Sequence, residues 1–337
     1  MIDAKIIIIF IIFNLPIIFL FNKILNIFNI YDSNDNKRKI HKTPISLFGG
    51  TLILYNFLVI ILISNIFSID IFNEKFLNNS REIFVFIFGS VIFYLIGLFD
   101  DKYIFNSNKK FILSTLFIFI FLTIDNSLII ESIRFQNFNS IDLNTFSIPF
   151  SILCLLLFLN ALNMFDGINL QVSFYSILLL VIFLIKGINL NFNLFIILSL
   201  LIFIFYNYRN KVFLGDSGSN LLFFILSYTI IKNYNLNKNF DIEEIFILMC
   251  IPGLDMFRLF LFRIMKGHNP FKADNNHIHH ILLEIFKDKT LSSLVIFVTN
   301  FLIIIGYYFI QSKLLYCIGV SVIYTLLIIF IKMQKSK

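Results

Sequence analysis

The chain has 337 residues, of which 58% are hydrophobic, 18% aromatic and only 14% charged, and its mean hydropathy is +0.89. Soluble domains carry about 25% charged residues, so this composition excludes an ordinary soluble protein and points to a lipid bilayer as the solvent. The 27 Lys and Arg against 20 Asp and Glu leave a net charge of +7; in a membrane protein such an excess marks cytoplasmic loops, and no nucleic-acid partner is expected.

A bilayer core takes roughly 20 apolar helical residues to cross, and only helices or closed barrels satisfy their backbone groups there. Apolar runs of that kind predict about eleven spans, at 2–28, 47–69, 83–99, 111–124, 147–162, 171–187, 192–206, 220–232, 245–262, 292–311 and 314–332. The runs at 111–124, 147–162 and 220–232 are short, so the expected fold is an all-α, polytopic membrane protein of about 10–11 transmembrane helices. The apolar N-terminus lacks a basic leader region and a small-residue cleavage site, which reads as a retained first span. No internal repeat or soluble domain interrupts the chain, so 1–337 is expected to form one domain. The three cysteines lie within apolar runs and make neither a disulfide framework nor a metal cluster.

The loops carry the orientation. Odd-numbered loops hold most of the basic residues, among them Lys37, Arg38, Lys39, Lys42, Lys102, Lys109, Lys110, Arg209, Lys211, Arg263, Lys266 and Lys272. The even side holds chiefly Lys75, Arg81, Arg134, Lys186, Lys232, Lys238 and Lys313. By the positive-inside rule the odd loops face the cytoplasm.

Five polar clusters stand out, all in odd loops or at their helix ends. They are Arg38–Pro44 leading to Gly49-Gly50, Gly97–Lys102, Asn160–Gly167, Phe213–Ser219, and Asp255–Arg258 running on to His277–His280. One membrane face therefore carries a site. The adjacent Asp100 and Asp101 repel each other and stay ionised only when wet, metal-bound or paired with a cation. Asp166 and Asp216 each sit beside a glycine, which allows close backbone approach to a ligand. Hard carboxylate oxygens of this sort suit Mg²⁺, which keeps several waters and binds substrate phosphates.

All five histidines, at 41, 268, 277, 279 and 280, fall in the same cytoplasmic segments. Beyond Asp274 the spacing of Ile278, Ile281, Leu282, Ile285 and Phe286 predicts an amphipathic helix along the membrane surface. On it, His277 and His280 share the polar face with Glu284, and His279 turns to the flank. Zinc would need a further cysteine or histidine pair to complete a tetrahedron; binding a diphosphate suits these histidines better. Lys39, Lys42, Arg258, Arg263 and Lys272 complete an anion-binding face, although Arg258 is also one turn from Asp255 and within reach of a salt bridge.

Taken in order, the five clusters resemble the polyprenyl-phosphate N-acetylhexosamine-1-phosphate transferases, the superfamily that also holds the phospho-N-acetylmuramoyl-pentapeptide transferases. The resemblance runs from about Lys39 to His280. It implies that Asp100 and Asp101 are the catalytic acidic pair, that Asp216 in Gly-Asp-Ser-Gly-Ser is the Mg²⁺ ligand (Mn²⁺ substituting), and that Asn163 and Asp166 of Asn-x-x-Asp-Gly line the cleft, Asp166 near the metal. Asn207 and Phe213 match nucleoside-contacting positions, where an aromatic face stacks on uracil. Asp274 with His277, His279 and His280 matches the histidine signature of the hexosamine branch. Lys42, Thr43, Asn169, Gly215, Ser219 and Arg258 complete the expected substrate-binding set. The sequence departs from the pattern at Asn169 and Asn275, where the family commonly has Asp and Arg.

The implied reaction transfers GlcNAc-1-phosphate from a UDP-N-acetylhexosamine to undecaprenyl phosphate at the cytoplasmic face of a bacterial inner membrane, with a homodimer as the expected oligomer if one forms. The same chemistry on a deoxy or diamino sugar, or on UDP-MurNAc-pentapeptide, is the alternative donor reading. A transporter or flippase would place charges near the middle of the spans, and these span interiors are nearly free of them.

Overall fold

The computed structural model describes residues 4–32, 44–67, 72, 76–103, 105–236, 238–267 and 276–335. Lys42, Thr43 and Asp274, with His41, His268, Lys39 and Lys272, lie outside the described residues. In chain order the helices are α1 (Ala4–Phe19), α2 (Phe21–Phe28), α3 (Gly49–Phe67), α4 (Ser80–Tyr103), α5 (Ser107–Ile124), α6 (Ser147–Phe165), α7 (Gln171–Ile185), α8 (Leu190–Tyr208), α9 (Gly215–Asn235), α10 (Ile242–Leu248), α11 (Cys250–Met265), α12 (Ile278–Phe286), α13 (Lys289–Phe309) and α14 (Lys313–Lys335). Two short antiparallel ribbons accompany them, β1 (Tyr31–Asp32) with β2 (Ile45–Ser46), and β3 (Ser132–Ile133) with β4 (Ile141–Asp142).

Each of the eleven apolar runs falls on a helix or a bent helix pair, and the protein is an all-α polytopic membrane protein. Among the described residues seven helices are long and apolar enough to cross a membrane, and up to nine spans result if α1 with α2 (bent by 70°) and α10 with α11 (bent by 79°) each count as one. The remaining two runs differ for physical reasons. Helix α7 has only 15 residues. Helix α9 is buried along nearly its whole length, which lets it carry Ser217, Ser219, Asn220, Ser227 and Thr229 away from lipid. By contrast Ile112, Leu116 and Phe119 of α5, and Ile318, Val322 and Leu326 of α14, are exposed, and such apolar faces require lipid.

The chain divides into two compact units. The first comprises Met1–Asp125 and Ser176–Tyr228. Here α3 packs on α1, α4 and α8, and α4 on α5. Fully buried Phe192 meets Phe57 and Phe86 edge to face, a geometry that ring quadrupoles favour, and Phe57 and Phe86 pack tilted against each other. The amides that begin α3 find acceptors outside the helix: Gly49 N donates to Phe213 O and Gly50 N to Leu214 O, both at 3.0 Å. This satisfies otherwise orphaned N–H groups and ties the turn before α9 to α3.

The second unit comprises Asn126–Tyr175 and Thr229–Lys337. In it α6 packs on α11, α12 on α13, and α10 on α13 and α14. Ser293 Oγ of α13 donates to Asn169 O at 2.6 Å, which fixes the turn after α6.

Candidate active site

In the first unit three carboxylates gather around the start of α9. Asp101 Oδ1 accepts from Asp216 N at 2.8 Å, and its Oδ2 from Ser217 N at 3.0 Å. Asp101 therefore caps α9 from another helix, where the positive end of the dipole favours an anion. Two glycines make this possible. Gly97, one turn before Asp101, lies so close to the Asp216 carbonyl that any Cβ would collide with it. Gly215 has φ +73, the left-handed region that glycine adopts without strain, and a Cβ there would crowd the Asp101 carboxylate.

Asp100 points differently. Its Oδ1 accepts from Phe105 N at 2.8 Å and its Oδ2 from Lys110 Nζ at 2.8 Å. Lys110 also reaches Asp216 Oδ2 at 2.5 Å, so one ammonium bridges two carboxylates from different helices. The Asp216 side chain remains 31% exposed, against 14% for Asp100 and 16% for Lys110. Ser219 Oγ donates to Asp216 O at 3.3 Å and Asn207 Nδ2 to Val212 O at 2.7 Å. Both side chains thus shape the turns on either side of Phe213, whose own amide donates to Ser46 O at 2.8 Å.

Among the described residues no three His, Cys, Asp or Glu side chains are arranged to hold a metal ion. Asp100 and Asp216 nonetheless direct hard oxygens at one cationic position, and Mg²⁺ is commonly held by one or two carboxylates plus waters and phosphate. The donor set fits that ion. Lys110 was legible only as a positive loop residue. Its better signal is position: a lysine in the opening turns of α5 opposes the helix dipole unless carboxylates lie nearby.

In the second unit Asp255 is the hub. Its Oδ1 accepts from Arg258 Nη2 at 2.7 Å, Tyr324 Oη at 2.9 Å and Ile278 N at 3.2 Å, and His277 Nδ1 lies 2.9 Å from its Oδ2. Arg258 Nη2 also donates to Asn276 O at 2.6 Å. Arg258, an expected substrate contact, is thus engaged in fastening the start of α12 to α11, the salt-bridge alternative that its spacing allowed.

The amphipathic helix forms at Ile278–Phe286, but the expected faces are corrected. His279 is the deepest of the three, 1% exposed, and His277 is buried just ahead of the helix, while Ile285, Phe286 and Glu284 are exposed. The reasons are local: Asp255 draws His277 inward, and Gly167 leaves space for His279, since a Cβ at Gly167 would overlap that imidazole. His279 stacks parallel to His277 at 5.3 Å and lies 4.4 Å from the His280 ring. Burial first, then the neighbouring His280 and His277, holds the His279 pKa well below the usual imidazole value. Its Nδ1 is buried with no hydrogen-bond partner among the described residues. Asn163 and Asp166 sit at the end of α6, where Asp166 N donates to Asn163 O at 3.3 Å, and Asn169 follows, buried. The second unit therefore brings the α6 turn and the histidines together.

The family model described as "Glycosyl transferase family 4" matches residues 83–233, a stretch that encloses Asp100, Asp101, Lys110, Asp166 and Asp216. Over that stretch the chain is similar to glycosyl transferase family 4. Its histidine cluster lies beyond the part of the family pattern that is matched. A relative in Bacillus subtilis (strain 168), described as "Probable undecaprenyl-phosphate N-acetylglucosaminyl 1-phosphate transferase", is 25% identical over 303 residues, 87% of this chain and 80% of the relative. The undecaprenyl-phosphate alpha-N-acetylglucosaminyl 1-phosphate transferases of Escherichia coli (strain K12) and Salmonella typhi are each 35% identical over 77 residues, 22% of this chain and 21% of the relative.

Proposed function

We propose that this protein, similar to glycosyl transferase family 4 over residues 83–233, is a polyprenyl-phosphate sugar-1-phosphate transferase. In this reading it moves GlcNAc-1-phosphate from a UDP-N-acetylhexosamine to undecaprenyl phosphate at the cytoplasmic face of a bacterial inner membrane. The observation that carries the reading is the convergence of Asp100 and the partly exposed Asp216 on the single ammonium of Lys110, inside the segment that matches the family model.

In the reaction an oxygen of the lipid phosphate attacks the β-phosphorus of the donor. The bond from that phosphorus to the bridging oxygen breaks, UMP leaves, and the sugar stays on the transferred phosphate. Asp216 would hold Mg²⁺, which when bound supplies positive charge against the diphosphate and the departing UMP. Such transfers need positioning and charge stabilisation more than covalent help. Asp100 is assigned to the acceptor: a phosphate monoester loses its second proton near pH 6, so its carboxylate needs to take a proton only from the minor monoanion. Asp101 keeps both oxygens on α9 and holds the Asp216 backbone still. The resemblance assigns Asp166, His277, His279 and His280 to orienting the donor, with Asn163 and Asn169 around the turn that carries Asp166. The uridine is assigned to Phe213, whose ring is partly exposed.

UMP release by the detergent-purified protein, given undecaprenyl phosphate, Mg²⁺ and a panel of UDP-sugars, tests the reading. Release that requires lipid and is abolished by EDTA is expected, with UDP-GlcNAc the preferred donor. Absence of release with every donor from monodisperse protein would refute it.

A further inference from the structure

Lys110 stands where a divalent cation is expected, and this has a consequence for how the site loads. Its ammonium is within 2.8 Å of Asp100 Oδ2 and 2.5 Å of Asp216 Oδ2. Charge-assisted hydrogen bonds of this length are among the stronger ones in proteins. The two anchors are not equivalent. Asp100 is held on its other oxygen by Phe105 N and is the less exposed of the pair, whereas the Asp216 carboxylate is 31% exposed. The backbone of Asp216 is also immobilised, because Asp101 accepts from its amide and from that of Ser217.

We propose that Lys110 is a resident counter-ion that a divalent cation displaces from Asp216. The lysine keeps its bond to Asp100 and turns its released donors to a phosphate oxygen. The inference rests on the metal assignment to Asp216 made above. It makes Lys110 a positioning residue with two effects of opposite sign: it weakens the binding of metal alone, and it strengthens the binding of metal together with phosphate. In the metal-free protein it also stops two carboxylates from facing each other without a cation, a pairing that like-charge repulsion disfavours.

The test is Mn²⁺ binding to the purified full-length protein, followed by the electron paramagnetic resonance of free Mn²⁺, without substrate and then with added UDP. Wild type is compared with Lys110→Met, Lys110→Gln and Lys110→Arg. Met and Gln are expected to bind Mn²⁺ alone at least about tenfold more tightly, the worth of one charge-assisted hydrogen bond, and to lose most of the tightening that UDP gives wild type. Arg, which keeps the charge, should stay near wild type. Should the neutral variants aggregate, Asp100→Asn gives the complementary reading, because removal of the other anchor leaves Lys110 to Asp216 alone and should weaken Mn²⁺ binding. Equal or weaker Mn²⁺ binding in the neutral variants, stronger binding in Asp100→Asn, or no Mn²⁺ uptake by any folded form would overturn the proposal. UMP release by wild type is measured in parallel. Normal metal-dependent release with unchanged Mn²⁺ affinity in the variants sinks the displacement alone, and absence of release sinks the transferase reading instead.

Discussion

Asp216 and Asp255 are the same residue in opposite circumstances. Asp255 is buried, and its carboxylate is saturated by Arg258, Tyr324, His277 and the amide of Ile278. Asp216 is partly exposed and shares one lysine with a second carboxylate. A saturated, buried carboxylate has nothing left to offer a ligand, and its removal strands the cation beside it. A contested, open one can exchange partners. Burial and partner count, rather than residue type, separate the acid proposed to work from the structural one.

The comparison can be broken at either end. Asp216→Asn is expected to lower UMP release by about 10²–10³-fold, the scale seen when a key electrostatic group is lost, with an unchanged gel-filtration profile in detergent; near-normal turnover would remove Asp216 from the mechanism. Asp255→Ala should do the reverse of a catalytic lesion and destabilise the fold by about 3–5 kcal/mol, the usual result of breaking a buried ion pair. Thermal unfolding would register it as a large drop in midpoint, and an unshifted midpoint would contradict the hub. Asp101 should fall between the two. Its replacement by Ala strips two amides of their acceptor and should cost about 2 kcal/mol while also reducing turnover, whereas Asn, which retains one acceptor oxygen, should recover part of both.

The smallest effect concerns His279. Because its folded pKa lies below the unfolded value, the unfolded chain takes up the proton first. The contribution of this group is therefore complete above about pH 6.5, the ordinary imidazole value, and is lost as pH falls below it. Unfolding midpoints at pH 7.5 and 5.5 should converge less in wild type than in His279→Gln, and identical pH slopes would show that His279 does not titrate on unfolding.

Much of this was legible in the residues. Long apolar runs announce helices because a bilayer leaves no other way to satisfy a backbone, and Asp100, Asp101 and Asp216 stand out in a chain so poor in charge. What sequence could not divide was the acidic pair, since adjacent residues look alike until the fold sends Asp101 under α9 and Asp100 toward Lys110. Lys110 itself was hidden by topology, which puts lysines in such loops whether or not they act. Asp255 was visible only as a neighbour of Arg258; its link to Tyr324 spans 69 positions of chain. The placement of His279 also escaped helical periodicity, because Gly167, on a distant turn, decides which imidazole goes inward.

The cap on α9 carries one more implication. The bare N-terminus of a helix is among the commonest resting places for phosphate, because its amides are unclaimed. In this protein the amides of Asp216 and Ser217 are already claimed by Asp101, so the chain has plugged its own anion socket with a carboxylate. Selectivity at that end of α9 is thereby inverted: stray sulfate or inorganic phosphate should find poor purchase, and the carboxylates gathered there favour a cation, the place Lys110 now fills.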